Sequence, residues 1–306
     1  MIYTVTLNPS VDLYIPTNDI KTGKMNRIEK EYTVPGGKAL RVSRMLERLR
    51  IPTVATGFVG GFQGLFIEDW MKKENILTDF VTISEPTRTN VKFISNGKET
   101  YINSVGPSVK ESEVNELIYY LSRVAEGDTV IMGGSLPVLK NYDIYQRMIS
   151  VCKANKASFV IDIPAKYLPD AIKERPVLVK PNREDVEEMF NVKLDSDEKI
   201  IKAGKEIIKL GAKNVIISLA ENGAMFFSEN GDIYRGLGID VDVINTVGAR
   251  DSMIAGFIGT YVKHGDNIES FRVSLAAATA SLVVNDIPDA DLVNSYINLV
   301  KIEKLN

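Results

Sequence analysis

Residues 245–256, NTVGARDSMIAG, contain a turn of small residues that leads into the start of a predicted helix. The first N–H groups of a helix lack intrahelical partners and its dipole adds partial positive charge, so this arrangement can bind an anion. Gly248 and Ala249 keep the turn slim, while Asp251 supplies a carboxylate that either caps the helix or acts as a general base. Arg250 adds a guanidinium that can pair with a phosphate or with Asp251.

The composition is that of a globular chain with a small-molecule partner. Its 306 residues are 44% hydrophobic, which is enough for one large α/β domain or two smaller ones. The net charge is −3 and no Lys/Arg run interleaves with aromatic residues, so we expect no nucleic-acid partner. No apolar run approaches the roughly 20 residues that span a bilayer, and residues 1–12 lack a secretion-signal pattern. We therefore expect no membrane partner and a cytoplasmic location.

The chain holds one cysteine, Cys152, and one histidine, His264. Disulfide frameworks, Cys/His zinc sites and Ser-His-Asp chemistry are therefore excluded. We interpret Cys152 as a packing residue and His264 as a favourable charge at a helix C-terminus. Any catalysis must use carboxylates, lysine, arginine or backbone N–H groups.

Short apolar runs alternate with amphipathic stretches along most of the chain. Alternation of strand and helix predicts an α/β fold whose mostly parallel sheet is covered on both faces. The predicted strands cover residues 2–7, 53–60, 128–134, 158–163, 177–182 and 214–220. The predicted helices cover residues 39–49, 65–75, 111–125, 197–212, 250–265, 267–285 and 289–303.

Two segments instead show the two-residue alternation of apolar and polar side chains that is typical of a β-strand. Residues 27–34 alternate apolar and charged side chains, and residues 88–103 predict a hairpin that turns at Asn96 and Gly97. We interpret them as a small antiparallel sheet, formed by segments at about 11–34 and 87–104, inserted in a single domain spanning residues 1–306. Such a sheet can be a lid over a site or an oligomer contact.

Three further motifs are weak when taken singly. Residues 35–46, PGGKALRVSRML, open a helix with two glycines and Lys38, a common anion-site pattern. Residues 179–190 place Asn182 and Asp185 where they can hold Mg²⁺ through water or cap a helix. Residues 218–224, SLAENGA, read as an ordinary hairpin turn. Neither G-x-G-x-x-G after the first strand nor the P-loop pattern is present.

The order of these motifs, together with GGSLP at residues 133–137, resembles the ribokinase-like, or PfkB, family of carbohydrate kinases. The resemblance spans nearly the whole chain and implies a three-layer αβα fold with a β lid that often pairs in a homodimer. TLNPSVD, NRIEK and TRTN look most like the bacterial 1-phosphofructokinases and tagatose-6-phosphate kinases. The implied activity is ATP-dependent phosphorylation of a ketose phosphate, with fructose 1-phosphate first and tagatose 6-phosphate second, and the implied cofactors are ATP and Mg²⁺.

The resemblance also implies residue roles. Asp251 matches the catalytic base, and Gly248, Ala249 and Arg250 match the anion hole. The sugar-phosphate side comprises Asp12, Arg27, Gly37, Lys38, Arg41, Arg88 and Ser135. The nucleotide side comprises Lys180, Asn182, Ser218, Ala220, Gly223 and Gly248, and the metal-associated pair is Asn182 and Asp185.

Five positions depart from the family's motifs. Ala39 and Ala220 replace glycines, Arg41 replaces a sugar-contacting asparagine, Asp185 replaces a glutamate, and Arg250 replaces the second glycine of Gly-Ala-Gly-Asp. If position 250 needed a positive φ, arginine there would cost roughly 1 kcal/mol relative to glycine. Three interpretations are open: a working kinase with altered efficiency or preference, a diverged, catalytically weak binder of nucleotide or sugar phosphate, and a kinase of a different acceptor such as a nucleoside or unphosphorylated sugar.

Overall fold

The computed structural model describes residues 1–17, 20–95 and 98–305. The strands are β1 Ile2–Thr6, β2 Ser10–Pro16, β3 Tyr32–Gly36, β4 Thr53–Val59, β5 Leu77–Thr82, β6 Arg88–Ser95, β7 Lys98–Ile102, β8 Ser108–Val109, β9 Thr129–Gly133, β10 Val138–Leu139, β11 Ser158–Asp162, β12 Leu178–Val179, β13 Asn214–Ser218, β14 Ala224–Ser228, β15 Ile233–Gly236 and β16 Ile302–Lys304. The helices are α1 Lys38–Arg48, α2 Gly61–Lys73, α3 Glu111–Leu121, α4 Ile144–Ala154, α5 Leu168–Lys173, α6 Arg183–Phe190, α7 Asp197–Leu210, α8 Ala249–His264, α9 Asn267–Leu282 and α10 Ala290–Ile297.

The central sheet joins ten strands in the order β16-β15-β14-β13-β12-β11-β9-β1-β4-β5. The strands from β13 to β5 pair in parallel, and β14, β15 and β16 continue the sheet with antiparallel pairs. This arrangement confirms the predicted α/β class with a mostly parallel sheet. Because parallel strands all end at one edge, the residues that follow β1, β9, β11 and β12 meet on the same side of the molecule.

Two large apolar cores lie on opposite faces of the sheet, and a smaller third cluster includes side chains from α2. Successive strand residues point to alternate faces, so Val130 packs in one core and Ile131 in the other. The first core includes side chains from α3, α4, α5, α6 and α7, and the second includes side chains from α1, α8, α9 and α10. The helices therefore form two layers, which confirms the three-layer αβα fold.

A smaller sheet, the β lid, has the strand order β3-β2-β6-β7. Its outer pairs are antiparallel, while β2 and β6 pair in parallel at its centre. β2 begins soon after β1, and β3 leads directly into α1, so the lid adjoins the carboxyl-end edge of the main sheet. The interpretation of one domain with an inserted lid stays a prediction.

Two predicted elements differ from the structure. Residues 27–31 form no strand, and β3 begins at Tyr32. The predicted helix at 289–303 ends at Ile297, because Ile302–Lys304 pair as β16 with β15. The apolar-polar alternation of such a short segment fits either element, and the edge pairing decides. The predicted turn at Asn96 and Gly97 lies outside the described residues. Within the described ranges, no helix is long and apolar enough to cross a membrane.

Helices α8 and α9 pack closely because α8 presents glycine to its neighbour. A Cβ added at Gly256 would lie 2.8 Å from the carbonyl oxygen of Val273 and 3.0 Å from Cα of Ser274. Both of those atoms belong to the backbone of α9, so they have little room to move. The start of α8, which carries Asp251, is therefore fixed against the second core.

We expect Gly256→Ala to lower the free energy of unfolding by about 1–3 kcal/mol, because the two helices must separate. Gly259→Ala on the same helix is the control, since its Cβ meets the flexible tip of Ile51 rather than backbone. Urea denaturation of both variants measures the difference. Equal stabilities would contradict the proposed backbone contact.

Candidate active site

A polar cavity of about 430 Å³ opens where the strand ends and two helix starts meet. Asp162 ends β11, Lys180 follows β12, and the first turns of α1 and α8 face each other across the opening. The lid contributes Tyr101 from β7. The lining residues are Lys38, Arg41, Tyr101, Asp162, Lys180, Asn182, Asp185, Thr246, Val247, Gly248, Arg250 and Asp251.

The turn before α8 takes its conformation from Gly248. This residue is the helix N-cap and has a φ of 90°, in the region that favours glycine. Arg250 lies inside the helix and its φ is not positive. An arginine in place of the family's glycine therefore causes no backbone strain at this position. Among the described residues no side chain caps the helix, so its first N–H groups are available to an anion.

Asp251 is paired with Arg41 and not with Arg250. The Nε of Arg41 donates a hydrogen bond of 2.6 Å to Oδ2 of Asp251, while Arg250 is exposed. Arg41 reaches Asp251 because it sits one turn into α1 and packs over Gly248. Burial would lower the pKa of Arg41, but the Asp251 carboxylate outweighs it and raises that pKa. The sequence showed both arginines but not which one lies beside the carboxylate.

Asp12 is held by the lid. Its Oδ1 accepts hydrogen bonds from Ser10 (2.7 Å) and Asn90 (2.9 Å), and its Oδ2 accepts one from Lys92 (3.0 Å). Burial would raise the pKa of Asp12, but the Lys92 ammonium and the Ser10 hydroxyl hold it below its usual value. Arg41 lies 4.0 Å away. Lys92 was not predicted, although a lysine among the apolar residues of NVKFI is a visible signal.

Asp162 pairs with Lys38 at the base of the cavity and was also missed from the sequence. Its Oδ1 accepts a hydrogen bond of 3.0 Å from Lys38, and its buried Oδ2 has no partner among the described residues. Burial would raise the pKa of Asp162, but Lys180 and Lys38 hold it below its usual value. Burial lowers the pKa of Lys180 despite the opposing Asp162 carboxylate. A carboxylate at the end of the buried strand SFVID could have signalled this role.

Asn182 and Asp185 form a capping box at the start of α6. Oδ1 of Asn182 accepts from the Asp185 N–H at 2.6 Å, and Oδ2 of Asp185 accepts from the Asn182 N–H at 3.0 Å. Both residues also line the cavity. The described ranges contain no group of three or more His, Cys, Asp or Glu residues able to hold a metal ion directly. The prediction of Mg²⁺ held through water by this pair stays a prediction.

The structure does not bring the predicted phosphate clamp to this cavity. Arg88 donates to the carbonyl oxygens of Ser104 (2.8 Å) and Asn8 (3.0 Å), and Ser135 lies 3.4 Å from the Asn8 amide. Arg27 is exposed in the segment before β3. None of the three lines the cavity.

The glycine at the start of α1 keeps the strand ends close together. Gly37 is the N-cap of α1 with a φ of 133°, and a Cβ there would lie 2.8 Å from Cγ2 of Thr6. The neighbouring Ala39 is fully buried without a positive φ. The backbone at position 39 therefore accommodates alanine in place of the family's glycine.

The predicted nucleotide residues of the SLAENGA motif lie one strand away from the cavity. Ser218 ends β13 and bridges in parallel to Asn182. Ala220 has a φ of 51° and Gly223 a φ of 81°. A Cβ at Gly223 would collide with the carbonyl oxygen of Gly236. Because Ala220 has a side chain and a positive φ, it is the one of the five departures that strains the backbone.

The comparisons with known proteins identify the family. The model of the "pfkB family carbohydrate kinase" matches residues 5–288. The chain belongs to the pfkB family of carbohydrate kinases. It is 35% identical over 305 residues to a 1-phosphofructokinase of Bacillus subtilis, covering all of both chains. It is 32% identical over 306 residues to a D-tagatose-1-phosphate kinase of Bacillus licheniformis, again covering all of both.

The fold comparison agrees with this assignment. A crystal structure of phosphofructokinase-2 from Escherichia coli in complex with potassium matches with a TM-score of 0.92 and 25% identity, covering 97% of this chain and 98% of that chain. The predicted family resemblance is thus confirmed.

We expect Ala220→Gly to raise the free energy of unfolding by about 1 kcal/mol, because glycine adopts a positive φ without a Cβ clash. Ala278→Gly in the middle of α9 is the matched control, and should lower that free energy by about 1 kcal/mol through lost helix propensity. Urea denaturation measures both. A loss of stability in Ala220→Gly would show that the strain is absent.

We expect Asp162→Asn to lower the free energy of unfolding at pH 7 by about 3 kcal/mol, since Lys38 loses its ion-pair partner and the buried Lys180 loses a nearby negative charge. The folded-state pKa of Asp162 is below its usual value, so its stabilisation is present above the unfolded-state pKa of about 3.9 and is lost as the pH falls through the folded value.

Urea titrations from pH 7 to pH 3 should therefore show the two proteins converging at the acid end. Asp170→Asn, which removes an exposed carboxylate paired with Lys173, is the control and should change little. A difference that stays constant across the pH range would contradict the pairing.

Proposed function

We propose that this protein transfers the γ-phosphoryl group of ATP to a hydroxyl of a ketose phosphate, with fructose 1-phosphate as the favoured acceptor and a tagatose phosphate as the second. The observation that carries the proposal is the Asp251 carboxylate beside the uncapped start of α8, in a cavity that also holds Lys38, Lys180 and Arg250. The names of the Bacillus relatives support the acceptor class.

Asp251 is the proposed general base. It is 4% exposed and lies in the first turn of α8. It accepts the proton of the acceptor hydroxyl as that oxygen bonds to the γ-phosphorus and the bond to the bridging oxygen of ADP breaks. The products are the phosphorylated sugar, ADP and a proton. Oδ2 of Asp251 accepts the Arg41 hydrogen bond, so proton transfer uses Oδ1 or requires Arg41 to move.

The start of α8 and the cavity cations stabilise the charge that develops on the transferred group. The N–H groups of Ala249, Arg250 and Asp251 follow the N-cap, and such preorganised donors are a large source of rate enhancement. Asp162 positions the Lys38 ammonium by a hydrogen bond. ATP would supply the phosphoryl group when bound, and Mg²⁺ would offset part of its negative charge. The residues that would hold such a cation are Asp162, whose Oδ2 has no partner among the described residues, and the pair Asn182 and Asp185.

The sugar side is proposed to comprise Asp12, Gly37, Lys38 and Arg41. Of these, Lys38 and Arg41 line the cavity, and Asp12 lies 4.0 Å from Arg41. Tyr101 connects the lid to that cavity. A role for Arg27, Arg88 and Ser135 as a phosphate clamp would require a different arrangement of the lid. A homodimer formed through the lid, a cytoplasmic location, and ATP contacts by Ser218, Ala220 and Gly223 stay predictions.

A coupled assay of ADP release across fructose 1-phosphate, tagatose phosphates, fructose 6-phosphate and fructose tests this function. We expect turnover on the order of 1–100 s⁻¹ with the best acceptor. Asp251→Asn should lower kcat by about 10²- to 10⁴-fold, because the base is lost. Asp291→Asn, which removes an acidic residue from the first turn of α10, is the matched control and should leave kcat unchanged.

Turnover no greater than that of Asp251→Asn would reject the kinase function. It would favour the second candidate, a weakly catalytic sugar-phosphate binder, for which the Arg41–Asp251 ion pair is the specific observation. A gain of activity in Arg250→Gly would place the cause of weak catalysis at position 250 instead.

A further inference from the structure

The guanidinium of Arg41 lies beside the proposed base, and only one of its three nitrogens makes a hydrogen bond to a described residue. Its Nε donates a hydrogen bond to Asp251, but its two terminal nitrogens make no hydrogen bond within the described residues. One of them lies 4.0 Å from Oδ2 of Asp12. The side chain is 18% exposed and lines the main cavity. It also lines an adjoining cavity of about 140 Å³ under the lid. A guanidinium with two free terminal nitrogens can bind an oxyanion bidentately.

The Arg41–Asp251 contact also limits the ability of Asp251 to accept a proton. The Asp251 side chain is 6% exposed, and the 2.6 Å bond occupies one of its two oxygens. A guanidinium keeps its charge at any ordinary pH, so the ion pair does not relax by deprotonation. Only a group that takes the place of the carboxylate at the guanidinium can release Asp251 without leaving the Arg41 charge unpaired.

A second anion is the group that fits this replacement. A neutral hydroxyl offers weaker hydrogen bonds to a guanidinium than a phosphate does. The cavity lining has four basic side chains, Lys38, Arg41, Lys180 and Arg250, against three acidic ones, Asp162, Asp185 and Asp251. This balance favours an acceptor that brings negative charge with it.

We propose that Arg41 makes phosphoryl transfer depend on an anionic acceptor: the guanidinium holds Asp251 in a resting ion pair and releases it when the phosphate group of the acceptor sugar binds the terminal nitrogens. Arg41 is thus a specificity-determining residue. The inference rests on the proposed function and assigns to this departure from the family motif the selection of phosphorylated over unphosphorylated ketoses.

Binding without ATP gives the first test. Calorimetric titration with fructose 1-phosphate should show roughly tenfold tighter binding to Asp251→Asn than to the wild type, because the phosphate no longer competes with a charged partner for Arg41. In the Arg41→Asn background the same Asp251→Asn change should have no such effect. Tightening of equal size in both backgrounds would mean direct repulsion between phosphate and Asp251, and would overturn the proposal. Equal affinities of Asp251→Asn and wild type would also overturn it.

Hydrolysis of ATP without any sugar gives the second test. Water then takes the place of the acceptor, its proton passes to Asp251, and ADP and inorganic phosphate are released. Arg41→Asn should hydrolyse ATP roughly tenfold faster than the wild type, because the base is no longer held. The gain should disappear in Arg41→Asn combined with Asp251→Asn. Arg41→Asn should also lower, by a similar factor, the kcat/KM for fructose 1-phosphate divided by the kcat/KM for fructose.

The controls separate this inference from the proposed function. Arg48→Asn, an exposed arginine on the same helix, should behave as the wild type in every arm. Circular dichroism and urea midpoints check folding, and Arg41→Gln, which keeps most of the aliphatic stem, replaces Arg41→Asn if that variant unfolds.

Failure of the wild type to bind or phosphorylate any ketose phosphate would reject the proposed function. The ATP hydrolysis arm still decides the role of Arg41 in that case. Unchanged or slower hydrolysis in Arg41→Asn and Arg41→Gln would overturn the inference and make Arg41 a residue that orients the base.

Discussion

A carboxylate removed from water must be paired with a cation, and the site of this protein is organised by three such pairings. Asp12, Asp162 and Asp251 are 3%, 4% and 4% exposed. Their hydrogen-bonded cations are Lys92, Lys38 and Arg41, respectively. Each pair joins parts that are distant in the chain: two strands of the lid, the main sheet with α1, and α1 with α8. The first pairing holds two lid strands together, and the other two fix α1 to the floor of the cavity and to the start of α8.

The fold was predictable because its signals are local and repeated. A strand buried on both faces must be an apolar run such as SFVID, and a helix that covers it must be amphipathic as α1 is. The errors fall where the pattern is short. Residues 302–304 continue an apolar-polar alternation that suits a helix equally well, and only the open edge of β15 makes them a strand.

The site was predictable in its parts but not in its pairings. Asp251, Lys38 and Lys180 stand in motifs, so their positions at strand and helix ends followed from the sequence. Which cation pairs with which carboxylate depends on the distances between helices and strands in the folded protein. The spacing of residues along the sequence does not give those distances. Arg41 and Asp251 are 210 residues apart, and Arg250, adjacent to Asp251 in sequence, points elsewhere. The five departures also differ in kind: Ala220 strains the backbone, Asp185 completes a cap, and Arg41 changes the electrostatics.

The strand β16 has a consequence for how the sheet is completed. It pairs with β15, yet α8, α9 and α10 lie between the two in the chain. On a nascent chain, β15 therefore keeps an unpaired row of N–H and C=O groups until all three helices have been synthesised. An open strand edge is a template for pairing with other chains. The interval between translation of β15 and β16 is thus a period of exposure to misassembly, and α8, which carries Asp251, is made during it.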